Sequence, residues 1–186
     1  MGKGKNFSCN NPKEKRNTSD FYQTPYCLTR LLLEKENIIG TVLEPACGQN
    51  AIVNVLPYCT VSYDREKDFL AETEKYDTII TNPPFSLAYE FIQKAKKVAK
   101  EKIIMLLPLS YLHGKKRFDN IWQDTMFPLK KVYVFTRYPL LEETIRLDGK
   151  HKTGMMVYAW FVWDKRHKGL ATIEWLDNNE FVVKGN

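Results

Sequence analysis

Three short stretches of the 186-residue chain hold side chains suited to chemistry, and each follows a run that reads as a buried strand. In Glu44-Pro45-Ala46-Cys47-Gly48 the missing side chain of Gly48 lets the backbone approach a ligand, and Ala46 and Cys47 are small to the same end. An ordinary strand-to-helix turn would use the same residues. Asp64 stands 20 positions beyond Glu44, roughly the interval at which nucleoside-binding α/β folds set an acid against the ribose hydroxyls. A carboxylate suits that task because it accepts from both hydroxyls at once, although turns also favour Asp at a strand end. The third stretch, Asn82-Pro83-Pro84-Phe85, ends its strand because proline cannot donate to a ladder. Two consecutive prolines also stiffen the corner and fix its carbonyl directions in advance.

Other chemistries find little support. Cys9, Cys27, Cys47 and Cys59 are widely spaced, and with only His113, His151 and His167 they suggest neither a metal site nor a disulfide framework. Reduced thiols fit a cytoplasmic setting. No apolar run approaches the length of a membrane-spanning helix, and the N-terminus lacks the core of a signal peptide, so a soluble protein is expected. The net charge of +6 makes a polyanion a plausible partner. Residues 1–19 are polar and basic, the composition of a disordered tail, which leaves one folded domain over 20–186.

Elements that would position these residues follow from periodicity and breakers. Thr24-Pro25 opens a helix, with Thr24 as cap and Leu28, Leu31 and Leu32 as its apolar face. A strand over 41–46 runs into the Cys47-Gly48 turn and a short helix over 51–56, ended by Pro57. Strands are predicted over 60–64, 76–82, 102–109, 131–138 and 154–163, with a short one over 172–177. Between them lie an amphipathic helix over 86–100, facing inward through Leu87, Phe91, Ala95 and Val98, and a polar-aromatic loop or helix over 111–127. Alternating strands and helices imply an open sheet covered on both faces, whose ligands sit outside the carboxyl ends of the strands. All three chemical stretches occupy such ends.

Gln23-Thr24-Pro25, Glu44 to Gly48, Asp64, Asp68-Phe69-Leu70 and Thr81 to Phe85, in this order and at these intervals, resemble the S-adenosylmethionine-dependent amino-methyltransferases. The nearest likeness is to the small phage-type DNA adenine-N6 methyltransferases, from about Phe21 to the last strand. The resemblance implies a Rossmann-like class I methyltransferase fold: a mostly parallel open sheet with helices on both faces and antiparallel last strands. About a dozen residues separate Asp64 from the next strand, so one edge of the sheet is expected to be truncated. The implied cofactor is S-adenosyl-L-methionine, with Tyr22, Thr24 and Pro25 at its methionine end and Glu44, Pro45, Ala46, Cys47 and Gly48 as the backbone-binding loop. Asp64 would hold its ribose, and Asp68 with Phe69 its adenine. Where the family carries a second glycine this chain has Asn50, which tolerates left-handed backbone better than other non-glycine residues.

The chemistry implied is methylation of a planar amine. The adenine N6 lone pair is delocalised into the ring, and the Asn82 side-chain carbonyl and Pro83 backbone carbonyl would each accept one amino hydrogen, localising the pair as charge develops. Pro84 would stiffen the corner and Phe85 would stack on the extruded base. In-line displacement from a sulfonium needs neither metal nor covalent intermediate. The same corner serves adenine in RNA, an exocyclic cytosine nitrogen or a glutamine side-chain amide; the basic balance favours nucleic acid, and the resemblance favours DNA. A reading of another class is a degenerate, non-catalytic nucleic-acid-binding module. Phosphate contacts are expected from Lys115, Lys116 and Arg117 and from Arg146, Lys150 and Lys152, since no room is left for a separate target-recognition domain.

Overall fold

The computed structural model describes residues 23–137 and 156–178. Tyr22, Arg146, Lys150, Lys152 and the tail over 1–19 therefore lie outside the described residues. Helix α1 spans Tyr26–Leu33 and α2 spans Ala88–Val98. The strands are β1 (Val42–Glu44), β2 (Val61–Ser62), β3 (Tyr76–Thr81), β4 (Ala99–Pro108), β5 (Leu129–Phe135), β6 (Tyr158–Asp164) and β7 (Thr172–Leu176).

They form one sheet in the order β2-β1-β3-β4-β6-β5-β7. The first four strands in that order are mutually parallel, β6 runs against both β4 and β5, and β7 adds in parallel to β5. The antiparallel pairing expected late in the chain is thus made by β6 alone. Among the described residues the sheet ends at the two-residue β2 on the edge where truncation was expected.

Strand alternation sorts the core into two layers. Leu43, Ile79, Ile103, Met105, Phe161 and Trp163 join Phe91, Ile92, Ala95 and Val98 of α2 on one face. Their sequence neighbours Val42, Ile80, Ile104, Leu106, Trp160 and Val162 join Leu28, Leu31 and Leu32 of α1 on the other. Runs such as Ile103 to Leu107 are continuously apolar because both faces are covered.

Two local expectations change. The segment over 51–56 is a series of turns and not a regular helix: Asn54 N and Leu56 N donate four residues back, to Asn50 O and Ile52 O, while Val55 N donates three back to Ile52 O, and left-handed backbone at Gly48 (φ 50°) and Asn50 (φ 62°) precedes the segment. Its apolar residues Ala51, Ile52 and Leu56 are nonetheless buried. The polar-aromatic stretch after β4 breaks into a 3-10 turn over Leu109–Leu112, one helical turn over Lys115–Arg117 and a π turn over Phe118–Trp122.

One buried ion pair lies away from these loops. Lys102 Nζ donates to Glu36 Oε2 at 2.8 Å and to the Asn37 carbonyl at 2.9 Å, while the Tyr133 hydroxyl donates to Glu36 Oε1 at 2.9 Å. Burial alone would raise the Glu36 carboxyl, yet these donors and Lys130 hold it below its ordinary value. Among the described residues no helix is long and apolar enough to cross a membrane.

Candidate active site

The carboxyl ends of β1, β2 and β3 build the site. Beyond the two-residue β2 the ladder continues in single bonds, with Tyr63 N donating to Glu44 O and Cys47 N donating to Tyr63 O, each at 3.1 Å. These bonds bring Asp64 alongside the Cys47-Gly48 loop. Gly48 and Asn50 turn that loop through left-handed backbone, closed by Asn50 N donating to Cys47 O at 2.7 Å. Asn50 thus takes the conformation for which a second glycine would otherwise serve.

An open cleft enclosing about 640 Å³, including the solvent at its mouth, lies over these ends. Thr24, Ala46, Cys47, Gly48, Asp64 and Asn82 to Phe85 all line it. Residues from four separate parts of the sequence therefore meet around one cleft.

Thr24 does not cap its helix. Pro25 takes the N-cap position in extended conformation and no side chain caps α1; the buried Thr24 hydroxyl instead accepts from Asn82 Nδ2 at 3.0 Å. This bond engages the donor end of the Asn82 amide and leaves its oxygen, which is itself buried, as the amide's acceptor. Proline rings at 83 and 84 keep the backbone off the sheet, and a 3-10 turn over Phe85–Leu87 leads into α2. The Phe85 ring stacks against Tyr158, with centroids 5.4 Å apart and planes 27° apart.

Glu44 lies beneath the loop and not in the cleft wall. It is fully buried and its Oε1 accepts from Ala46 N at 3.0 Å. Burial pushes the carboxyl up to about 8, with the Thr81 hydroxyl and Ala46 amide drawing it back and the Asp64 charge adding to the rise. The Thr81 contact is a loose one, since neither Glu44 Oε2 nor Thr81 Oγ1 reaches a hydrogen-bond partner in good geometry. A proton on Glu44 at neutral pH resolves the burial, because it removes the charge.

Pro25 and Pro45 shape the backbone beside the cleft without lining it. Asp68 and Phe69 stand outside the cleft lining. Asp68 is exposed and caps a 3-10 turn by accepting from Leu70 N at 2.9 Å. Phe69 is 2% exposed and packs on Phe91 at 4.9 Å, so its ring is a core residue and cannot form a face for a nucleobase. Gln23, Gln49, Ala51, Ile52 and Arg65 also line the cleft. Arg65 was legible in principle as the residue that follows the strand-end acid; Ile52 was hidden because an apolar residue in a turn reads as core.

The cationic turn after β4 is already paired within the protein. Lys115 bridges to Asp119, Lys116 sits 3.8 Å over the Tyr89 ring, and Arg117 donates to the His113 carbonyl and lies 4.5 Å over Tyr111. Lys115 and Lys116 remain exposed.

No protein-family model matches the chain and no curated protein matches it in sequence. Solved structures do match it in fold. A Listeria monocytogenes protein described as a class I S-adenosylmethionine-dependent methyltransferase superposes with TM-score 0.55 at 12% identity, covering 85% of this chain and 66% of that one. A Vibrio vulnificus protein described as the modification subunit of a type I restriction enzyme gives 0.55 at 14% identity, over 87% of this chain and 47% of its own. The chain has the class I methyltransferase fold. A Pyrococcus horikoshii protein described as an RNA methyltransferase gives 0.53 at 13% identity, over 82% and 91% of the two chains. This chain thus spans about two thirds of the first of these structures and about half of the second.

Proposed function

We propose that the protein transfers a methyl group from S-adenosyl-L-methionine to the N6 amino group of adenine in DNA. One observation carries the reading: the Asn82-Pro83-Pro84-Phe85 corner lines the same cleft as Asp64 and the Ala46 to Gly48 loop. A nucleoside-binding wall and an amine-binding wall then face a common space.

The residues fit the cofactor. The Asp64 carboxylate suits the ribose hydroxyls, and left-handed Gly48 opens the backbone to close approach. Thr24 and the small side chains of Ala46 and Cys47 complete that wall. When bound, S-adenosylmethionine supplies an electrophilic methyl group. The chain's own part is orientation: Asn82 Oδ1 and Pro83 O would accept the two amino hydrogens, and Phe85 would hold the ring plane.

Nucleic acid is favoured over a protein substrate by the net charge of +6, and DNA by the likeness in motif to phage-type adenine methyltransferases. Residues 20–186 would then act as one catalytic domain, with 1–19 as a basic tail. Contacts to phosphate would come from the exposed Lys115 and Lys116.

The test is product identity. The protein is incubated with labelled S-adenosylmethionine and unmethylated duplex DNA, structured RNA or a protein extract, and the digested products are resolved by mass spectrometry. N6-methyladenine in DNA is the expected product. Label confined to RNA, or to glutamine, contradicts the assignment.

A further inference from the structure

Tyr158 lies behind Phe85, one of the residues that line the cleft, and approaches it from across the sheet. Because β6 runs against its neighbours, its first residue sits at the carboxyl ends of the parallel strands, opposite Pro108 of β4. Just before it, Leu109 N donates to Val157 O at 2.7 Å, so the backbone carrying Tyr158 is clamped to β4. The side chain is 7% exposed and belongs to the α1-side core. It is anchored on a rigid element.

Phe85 is placed differently. It starts a three-residue 3-10 turn that no side chain caps, and it is only half-buried. The double-proline corner sets its backbone, but the orientation of its ring depends on what the ring touches. The ring is stacked on Tyr158, 5.4 Å between centroids and 27° between planes. A ring covered on one side offers a planar ligand its other side only.

We propose that Tyr158 is a positioning residue that backs the Phe85 ring and thereby sets the plane in which the target base meets Asn82 and Pro83. The inference rests on the reading of Phe85 as the base-stacking ring, and it narrows the substrate to a heteroaromatic amine. A flat, supported platform orients a fused ring over a large area, whereas a glutamine side-chain amide gains little from it.

The test compares Tyr158→Phe, Tyr158→Met and Tyr158→Leu in steady-state methylation of duplex DNA. Cofactor affinity is measured by calorimetry, folding by melting temperature, and stacking by the fluorescence of 2-aminopurine at the target position. Tyr158→Phe keeps the flat face and is expected within about twofold of wild type. Tyr158→Met and Tyr158→Leu, which keep apolar volume without a ring, are expected to lower kcat by about threefold to tenfold, the scale of one aromatic pair. Their flipped 2-aminopurine should be brighter through looser stacking, with cofactor affinity unchanged. If one of the two fails to fold, the other carries the same expectation.

Wild-type kcat and fluorescence in a folded Met or Leu variant overturn the role of Tyr158 and leave adenine methylation standing. Equal losses in the Phe and Met variants also overturn it, because the hydroxyl and not the ring would then matter. A wild-type protein that labels glutamine and no base overturns both the inference and the function beneath it.

Discussion

Asn82 and Thr24, 58 residues apart in sequence, are joined by a 3.0 Å hydrogen bond from the Asn82 side-chain amide to the Thr24 hydroxyl. The bond fixes which end of the amide acts as an acceptor. Thr24→Val keeps the shape and removes the acceptor, so the half-buried amide can rotate. Methyl transfer should fall by about tenfold to a hundredfold, the cost of a misplaced reacting group, and Thr24→Ser should restore most of it. Kinetics on both variants, with cofactor affinity measured separately because Thr24 also lines the cleft, check this.

Backbone conformation at Asn50 gives a stability prediction. At φ 62° an alanine pays the left-handed penalty of roughly 1–2 kcal/mol, which Asn tolerates better and glycine escapes. Asn50→Ala should therefore lower unfolding free energy by about 1 kcal/mol, while Asn50→Gly stays near wild type. Urea titrations decide between these, and cofactor affinity should follow the same order because the loop forms one wall of the cleft.

Two carboxyls of opposite shift shape the pH dependence of stability. Burial raises Glu44 from its ordinary 4.5 to about 8, so the folded state holds a proton that the unfolded chain has lost. Its contribution is full below pH 4.5 and fades as pH rises through 8. Burial would also raise Glu72, but Lys67, the Glu74 amide, the Tyr63 hydroxyl and the Thr73 amide together bring it from 4.5 down to about 2. Its contribution is present above pH 4.5 and is lost as pH falls through 2. Glu44→Gln should flatten the decline on the alkaline side, and Glu72→Gln the loss on the acid side, in denaturant unfolding followed across pH.

The cations after β4 should not be equivalent. Lys115 and Lys116 are exposed, whereas Arg117 is engaged with His113 and Tyr111 and leans on Gly114, where an added side chain would meet its guanidinium. A Lys115→Gln, Lys116→Gln double variant should weaken DNA binding and reduce the salt slope by about 1–2, at roughly 0.9 for each phosphate that is no longer neutralised. Arg117→Gln should chiefly loosen the turn, read as a lower melting temperature with little change in slope.

Much of this architecture was legible in the sequence. Apolar runs such as Ile103 to Leu107 read as strands because burial on both faces leaves no room for alternation, and Pro83 and Pro84 mark a strand end whatever lies around them. What escaped depended on partners far away in the chain. Thr24 has the chemistry of a cap, and nothing local reveals that Asn82 takes its hydroxyl. Phe69 sits in a stretch that resembles an adenine-binding motif, yet Phe91 of α2 claims its ring. The left-handed backbone ahead of the turns over 51–56 is suggested by composition at Gly48 and left open at Asn50. Tyr158 could not be identified at all, because its place beside Phe85 follows from the reversed direction of β6.

The central claim is that the Asn82 corner acts on an amine delivered to the cofactor cleft, and single-turnover methyl transfer by Asn82→Ala with labelled S-adenosylmethionine already bound tests it most directly. The account predicts transfer to adenine reduced by at least about a hundredfold, as expected for loss of a preorganised polar contact in the transition state, with cofactor affinity near wild type. Transfer at the wild-type rate would contradict it.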